Sequence, residues 1–133
     1  MIENRPIADA TQAATIFRAA LPKEQNEERV FVLPLDANGA MLSKPILVSV
    51  GTTDGTAAID PGAIFREALK AGAEEIIIAH NHPSGNLVPS NADIAVTLEL
   101  KDLAERLGVP LLDHLIVTSF DADFTSIISF IDD

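Results

Sequence analysis

The segment from residue 75 to residue 93 constrains the fold of this chain more than any other. An apolar strand runs directly into two histidines, and a loop containing Pro, Gly and Ser then leads into a helix. Pro83 lacks the N–H that ladder pairing needs, which predicts that the strand ends just before it. Alternate residues of a strand share a face. The sequence therefore predicts one column of side chains that ends in two imidazoles: Ile76, Ile78, His80 and His82.

The helix after this loop should be capped by Ser90 and end at Leu107, because Gly108 is a typical C-terminal stop. Asp93 stands three residues before Val96, so it extends the apolar stripe of the helix into its first turn. A carboxylate that faces a core needs a partner, since burying it unpaired is costly. The remaining residues of the predicted stripe are Leu100, Leu103 and Leu107.

Two compatible interpretations of Asp93 follow. The spacing Ser90-x-x-Asp93 is that of a capping box, although its last position prefers Glu or Gln. Asp93 can also join His80 and His82 around one metal ion. Two imidazoles, one carboxylate and a fourth position filled by water describe a catalytic zinc site rather than a closed structural one. Zinc is favoured, although manganese, nickel and iron use similar ligands.

The pattern His80-x-His82, with Ser90 after seven further residues and Asp93 after two more, resembles the signature of the JAMM (MPN+) metalloproteases. The string HNHPSG that begins at His80 is similar to the RadC-like branch of that family, as is the PS pair that ends at Ser90. The similarity runs from about residue 28 to about residue 117. Other segments that resemble this branch are Gly51-Thr52, the Asp60-Pro61 helix start and Leu112-Asp113-His114-Leu115.

The resemblance implies an α/β fold, with a single JAB/MPN-type domain over residues 1–133. Its mixed central sheet is expected to be flanked by helices in a cytidine-deaminase-like architecture. The resemblance also implies one zinc ion per chain, bound by His80, His82 and Asp93 with water as the fourth ligand. The implied activity is hydrolysis of a peptide or isopeptide bond, with Ser90 polarising the scissile carbonyl or steadying the tetrahedral intermediate. We expect the helix-hairpin-helix region of longer family members to be absent.

One family element is not found by counting along the sequence. JAMM enzymes carry a glutamate general base on an early strand, and the count back from Gly51-Thr52 places it at Ile46. No carboxylate occurs from residue 37 to residue 53. A general base contributes about 10²–10⁴-fold in rate. We therefore expect metal binding without an identified base, and impaired hydrolysis. The acidic residues Glu24, Glu27 and Glu28 are expected to lie in a solvated loop.

Composition narrows the function classes. The chain has 133 residues and no cysteine, which excludes disulfides and thiolate ligands. No apolar run is long enough to span a membrane and no signal peptide is recognisable, so we expect a cytoplasmic location. The net charge of −11 argues against nucleic-acid binding, which normally needs a basic patch.

Three functions remain open. The first is a zinc-dependent hydrolase with a peptide or protein substrate. The second is a non-catalytic, metal-stabilised accessory module that binds a partner. The third is a DNA-repair-associated factor, which rests on the RadC-like resemblance alone and is opposed by the charge. The substrate and the oligomeric state do not follow from the sequence.

Helical and strand patterns alternate along the chain. His114 has two interpretations, a structural histidine bonded to backbone or to a carboxylate, or a residue near the metal. Asn81 alternates with the histidines and should face away from them. The predicted helices are Asp9–Leu21, Asp60–Ala71 and Ser90–Leu107; the predicted strands are Arg29–Asp36, Met41–Val50, Glu75–His82 and Pro110–Thr118; a turn lies at Ala37-Asn38-Gly39, and the tail Phe124–Phe130 should dock as a short strand or helical turn.

Overall fold

A computed structural model of the protein describes Ile7 and residues 9–51 and 59–132. In this part of the chain, one five-stranded sheet is flanked by four helices, which confirms the predicted α/β domain with a mixed sheet. The helices are α1 (Ala10–Ala20), α2 (Pro61–Lys70), α3 (Asn91–Leu107) and α4 (Ile127–Asp132). The strands are β1 (Arg29–Leu35), β2 (Ile46–Val50), β3 (Glu75–His80), β4 (Leu111–Val117) and β5 (Phe124–Ser126).

The strand order β2-β1-β3-β4-β5 places β3 at the centre of the sheet. The β3–β4 pair is parallel and is connected through α3, whereas the other pairs are antiparallel. His80, the last residue of β3, lies between Val30 of β1 and Ile116 of β4. The carboxyl end of β3 therefore meets the beginning of β1 in the interior of the sheet.

The two faces of the sheet carry separate cores. Ile76 and Ile78 belong to the core beneath α2 and α3, while Ile77 and Ala79 belong to the core beneath α1. This is the alternation expected of a strand. None of the helices in the described part of the chain has the length and hydropathy to span a bilayer.

The buried face of helix α3 differs in part from the predicted apolar stripe. Leu107 is 44% exposed rather than buried, and Val96 and Leu103 are only partly buried. The buried line runs instead through Thr97 and Ala104, whose small side chains let the helix approach the sheet. The buried residues of α3 are Asp93, Thr97, Leu100 and Ala104.

A proline usually restricts a strand to an edge or a bulge, but Pro34 lies at neither in β1. β1 pairs with strands on both sides, and its irregularity lies between Val30 and Phe31. The Pro34 carbonyl accepts from the Leu42 N–H, so the nitrogen of Pro34 faces the same side, where regular pairing with β2 has already ended. No ladder hydrogen bond is lost because β3 lies on the opposite side.

Two strands are shorter than the sequence predicts, and the tail is both strand and helix. Only an isolated bridge from Leu35 to Met41 precedes β2. β3 stops at His80 because the chain turns at once, with the His82 carbonyl accepting from the Gly85 N–H at 2.8 Å. The tail, predicted as one or the other, forms β5 followed by α4.

Ile46 lies away from the histidines. It pairs with Val32 at the end of the β1–β2 ladder, and its half-buried side chain packs against the core beneath α2 and α3. Its neighbour Leu47 is 43% exposed. The position to which the sequence count assigned a glutamate is therefore a packing position.

We predict that Ile46→Glu lowers the free energy of unfolding by roughly 1–3 kcal/mol, because it places a charge against an apolar core. The matched control is Leu47→Glu on the same strand, which should change stability by no more than about 0.5 kcal/mol. Urea denaturation of both variants measures the difference. Equal effects of the two substitutions would contradict this placement of Ile46.

Candidate metal centre

Two histidines and one aspartate converge where β3 ends and α3 begins. His80 Nε2 lies 3.2 Å from His82 Nε2. The Asp93 carboxylate lies 3.0 Å from His82 Nε2 through Oδ2 and 3.3 Å from His80 Nε2 through Oδ1. The strand supplies the first imidazole, the turn after it the second, and the first turn of the helix the carboxylate. The structure thus brings together the three residues that the sequence singled out as metal ligands.

A hydrogen bond fixes the proton of His82. Its Nδ1 lies 2.8 Å from the backbone carbonyl oxygen of Asn86, which can only accept, so Nδ1 carries the hydrogen. In the neutral ring, Nε2 then presents a lone pair to the Asp93 carboxylate, which is also an acceptor. A cation is needed between them, either a metal ion or a proton on Nε2. The hydrogen bond to Asp93 accordingly raises the pKa of His82, against the effect of burial.

The spacing of the two ring nitrogens and the carboxylate oxygens fits a tetrahedral ion. Ligand atoms about 2.0–2.1 Å from such an ion lie roughly 3.4 Å from one another. The two ring nitrogens lie 3.2 Å apart, and they lie 3.0 Å and 3.3 Å from the two different oxygens of the Asp93 carboxylate. Imidazole nitrogen with carboxylate oxygen is also a donor set that zinc accepts. The residues present therefore fit a single divalent ion of this kind.

Asp93 is held in place from its own helix. Its Oδ2 accepts from the Ser90 N–H at 2.9 Å, and its N–H donates to Ser90 Oγ at 3.0 Å. This reciprocal pair is the capping box predicted from the sequence, with Asp in place of Glu or Gln. Asp93 is also buried as predicted, at 7% exposed. Burial acts to raise its pKa, but the imidazoles of His80 and His82 beside the carboxylate hold the pKa of Asp93 well below its usual range.

A fourth ionisable side chain, Glu28, stands beside the two histidines. Its carboxylate and the ring nitrogens of His80 and His82 all lie within 4.8 Å of one another. Glu28 is only 5% exposed, and burial raises its pKa to about 7, although the charge of His82 acts in the opposite direction. The expectation of a solvated loop is wrong for this residue, while Glu24 and Glu27 are exposed. Counting along the sequence left the general base unidentified, and Glu28 is a carboxylate beside the histidines that this count did not find.

The sequence feature that could have identified Glu28 is its position just before β1, rather than a count back from Gly51-Thr52. It stands two residues before Val30, which pairs with His80 in the antiparallel β1–β3 ladder. A side chain two positions earlier on the same face points beyond the end of β3. The pairing of β1 with β3 joins residues 50 positions apart in sequence, and the sequence pattern alone does not specify it. Gly51 donates to the Glu28 carbonyl at 2.7 Å, whereas Thr52 and Asp54 lie outside the described residues.

Asn81 holds the backbone on both sides of Glu28. Its Oδ1 accepts from the Arg29 N–H at 2.8 Å, and its Nδ2 donates to the Glu27 carbonyl at 3.1 Å. The asparagine is fully buried. The residue between the two histidines therefore fixes the position of the nearby glutamate.

Gln25 ties the loop before β1 to the turn after β3. Its Nε2 donates to the His82 carbonyl at 3.0 Å, and its Oε1 accepts from the Ser119 N–H at 2.8 Å. Gln25 is buried, so it also departs from the solvated loop expected around Glu24, Glu27 and Glu28.

His114 contacts the first histidine directly. Its Nε2 lies 2.8 Å from His80 Nδ1, and its Nδ1 lies 2.7 Å from Thr97 Oγ1. Of the two interpretations of His114, the structure supports the one that places it near His80, because its ring meets neither a carbonyl nor a carboxylate. Burial lowers the pKa of both His80 and His114.

Comparison with known proteins identifies relatives of this chain. A family model described as a RadC-like JAB domain matches residues 7–132. A UPF0758 protein of Finegoldia magna is 44% identical over 95 residues, which cover 71% of this chain and 42% of that protein. A UPF0758 protein of Picosynechococcus is 44% identical over 111 residues, covering 84% and 45%. One of Thermosynechococcus vestitus is 40% identical over 125 residues, covering 91% and 49%. The chain spans less than half the length of each of these three relatives.

We predict that Asn81→Ala lowers the free energy of unfolding by roughly 1–3 kcal/mol, because it leaves a buried N–H and a carbonyl without partners. Asn38→Ala, at an exposed turn position, is the matched control and should be nearly neutral. Chemical denaturation gives both values. A neutral Asn81→Ala would show that the Asn81 hydrogen bonds do not stabilise the chain around Glu28.

Proposed function

This chain belongs to the RadC-like JAB domain family, and we propose that it is a zinc-dependent hydrolase of peptide or isopeptide bonds. The observation that carries the proposal is the convergence of His80, His82 and Asp93, whose nitrogen and oxygen atoms lie 3.0–3.3 Å apart. Glu28 is buried beside them. Family membership and this donor set support metal-dependent hydrolysis together.

Asp93, rather than Glu28, is assigned as the third ligand. Its carboxylate oxygens contact both ring nitrogens directly, and the capping box holds them there. The Glu28 carboxylate is known only to lie within 4.8 Å of the two ring nitrogens, a looser limit than the contacts of Asp93. A zinc ion held by His80, His82 and Asp93 would supply an activated water and polarise the substrate carbonyl.

Glu28 is assigned as the general base. No hydrogen-bond donor among the described residues engages its carboxylate, so it is available to take a proton from the attacking water. The same carboxyl group then returns the proton to the amine, which is a poor leaving group unless protonated. The expectation of impaired hydrolysis rested on a missing carboxylate, and Glu28 removes that reason.

Ser90 is assigned to the substrate carbonyl. Its Oγ accepts from the Asp93 N–H, and in the described part of the chain no acceptor takes its hydroxyl hydrogen. Ser90 is exposed at the beginning of α3. The hydroxyl can therefore donate to the oxygen on which negative charge develops.

We predict one zinc ion per chain for the purified protein, and its loss in Asp93→Asn and His82→Ala, since each substitution removes a ligand. Asp102→Asn, on an exposed part of the same helix, is the matched control and should retain full zinc. Elemental analysis after dialysis measures the stoichiometry. Full zinc retention in His82→Ala would contradict the assigned site.

We predict that Glu28→Gln retains zinc but loses about 10²–10⁴-fold in peptide or isopeptide hydrolysis, since the amide cannot accept a proton. Glu27→Gln, the exposed neighbouring glutamate, should keep the wild-type rate. The assay uses a library of peptides and isopeptide-linked substrates, with zinc content measured in parallel.

The outcomes separate the competing assignments. Zinc loss in Glu28→Gln together with zinc retention in Asp93→Asn would exchange the roles of the two carboxylates. Stoichiometric zinc in a wild-type protein that cleaves no member of the library would favour the accessory-module function instead.

A further inference from the structure

Resting on the proposed function, we propose that His114 and Thr97 are positioning residues that fix the tautomer of His80, so that its Nε2 lone pair faces the metal position. Neither residue touches the metal position itself. They act through a buried chain of hydrogen bonds that starts at a helix carbonyl and ends at the His80 ring. The inference therefore assigns a function to two polar residues that lie in the interior behind the site.

Three consecutive hydrogen bonds connect the backbone of Asp93 to the ring of His80. Thr97 Oγ1 donates to the Asp93 carbonyl one turn earlier in α3, at 2.7 Å. The same oxygen lies 2.7 Å from His114 Nδ1. His114 Nε2 in turn lies 2.8 Å from His80 Nδ1. Thr97, His114 and His80 are all fully buried, so water does not supply alternative partners.

The position of every hydrogen in this hydrogen-bond chain follows from the end at the Asp93 carbonyl. A carbonyl oxygen can only accept, so the single hydroxyl hydrogen of Thr97 points to Asp93. Thr97 Oγ1 must then accept from His114, which places a hydrogen on His114 Nδ1. The remaining nitrogen of neutral His114, Nε2, carries a lone pair and accepts from His80 Nδ1. His80 Nε2 is thereby left without a hydrogen, facing His82 and Asp93.

The opposite arrangement is disfavoured by burial. If His114 donated to His80, it would carry hydrogens on both nitrogens and be a cation in a fully buried position, which is costly. His80 would then hold its hydrogen on Nε2, directed at the Asp93 carboxylate, and could not bind a metal there. The hydroxyl of Thr97 thus decides which nitrogen of His80 is free.

The arrangement also couples two ligands to each other. Thr97 bonds to the backbone of Asp93, and His114 of β4 bonds to the ring of His80 on β3. Outer hydrogen bonds of this kind set the orientation and basicity of metal-binding histidines, and their loss typically weakens metal affinity about 10- to 100-fold. A merely space-filling role would not depend on the hydroxyl group.

The test compares Thr97→Val with Thr97→Ser in the full chain. Long-range ¹⁵N–¹H NMR of the metal-free wild type should show hydrogens on Nδ1 of both His80 and His114. Thr97→Val keeps the volume but removes the acceptor, so both rings should move toward the Nε2–H tautomer. Zinc affinity, measured by competition with a chelator, should fall about 10- to 100-fold. Thr97→Ser keeps the hydroxyl and should restore the wild-type tautomers and affinity.

The failures are distinguishable. A hydrogen on Nε2 of His80 in the metal-free wild type would overturn the inference, as would unchanged tautomers and zinc affinity in Thr97→Val. The wild-type tautomer measurement does not depend on the folding of any variant. Expected tautomers in a wild-type protein that binds no zinc would overturn the proposed function but support the hydrogen-bond assignment.

Discussion

The structure depends on the close approach of three hydrogen-bond-accepting groups. The imidazole nitrogens of His80 and His82 and the Asp93 carboxylate lie 3.0–3.3 Å apart. His82 has its only hydrogen directed at a carbonyl, so its free nitrogen and the carboxylate repel unless a cation lies between them. Such an arrangement is costly to build and has to be imposed by the rest of the fold. The central position of β3 and the capped start of α3 supply that rigidity.

In the part of the chain that the structure describes, the polar residues around the site account for most of the buried polar side chains. Asn81 fixes the chain on either side of Glu28, and Gln25 ties the turn after β3 to the segment before β1. His114 and Thr97 support His80 from behind. Buried polar groups stabilise a fold only when their hydrogen bonds are satisfied, and a fully satisfied network specifies one geometry. These buried hydrogen bonds thus fix the orientation of the few side chains that form the site.

Local patterns in the sequence predicted the parts of the site that lie on one continuous segment. Strand alternation placed His80, and the Ser90-x-x-Asp93 spacing placed the carboxylate. His82 lies beside them although it follows the end of β3. Glu28 was missed because its neighbours are set by the β1–β3 register, which joins distant parts of the chain. The place of Pro34 within a central strand likewise depends on distant pairing, because it lies beyond the point at which β2 stops pairing with β1. The apolar stripe of α3 was wrong at Leu107 because the buried line of the helix runs through Thr97, Leu100 and Ala104, which leaves Leu107 exposed.

A crystal structure of the zinc-loaded protein, with anomalous scattering recorded at the zinc edge, tests the account most directly. We expect one peak per chain, bonded to His80 Nε2, His82 Nε2 and an Asp93 oxygen. Glu28 should remain outside the coordination shell, with its carboxylate directed at the open side of the ion. A peak bonded to Glu28 in place of Asp93, or to His80 through Nδ1, would contradict it.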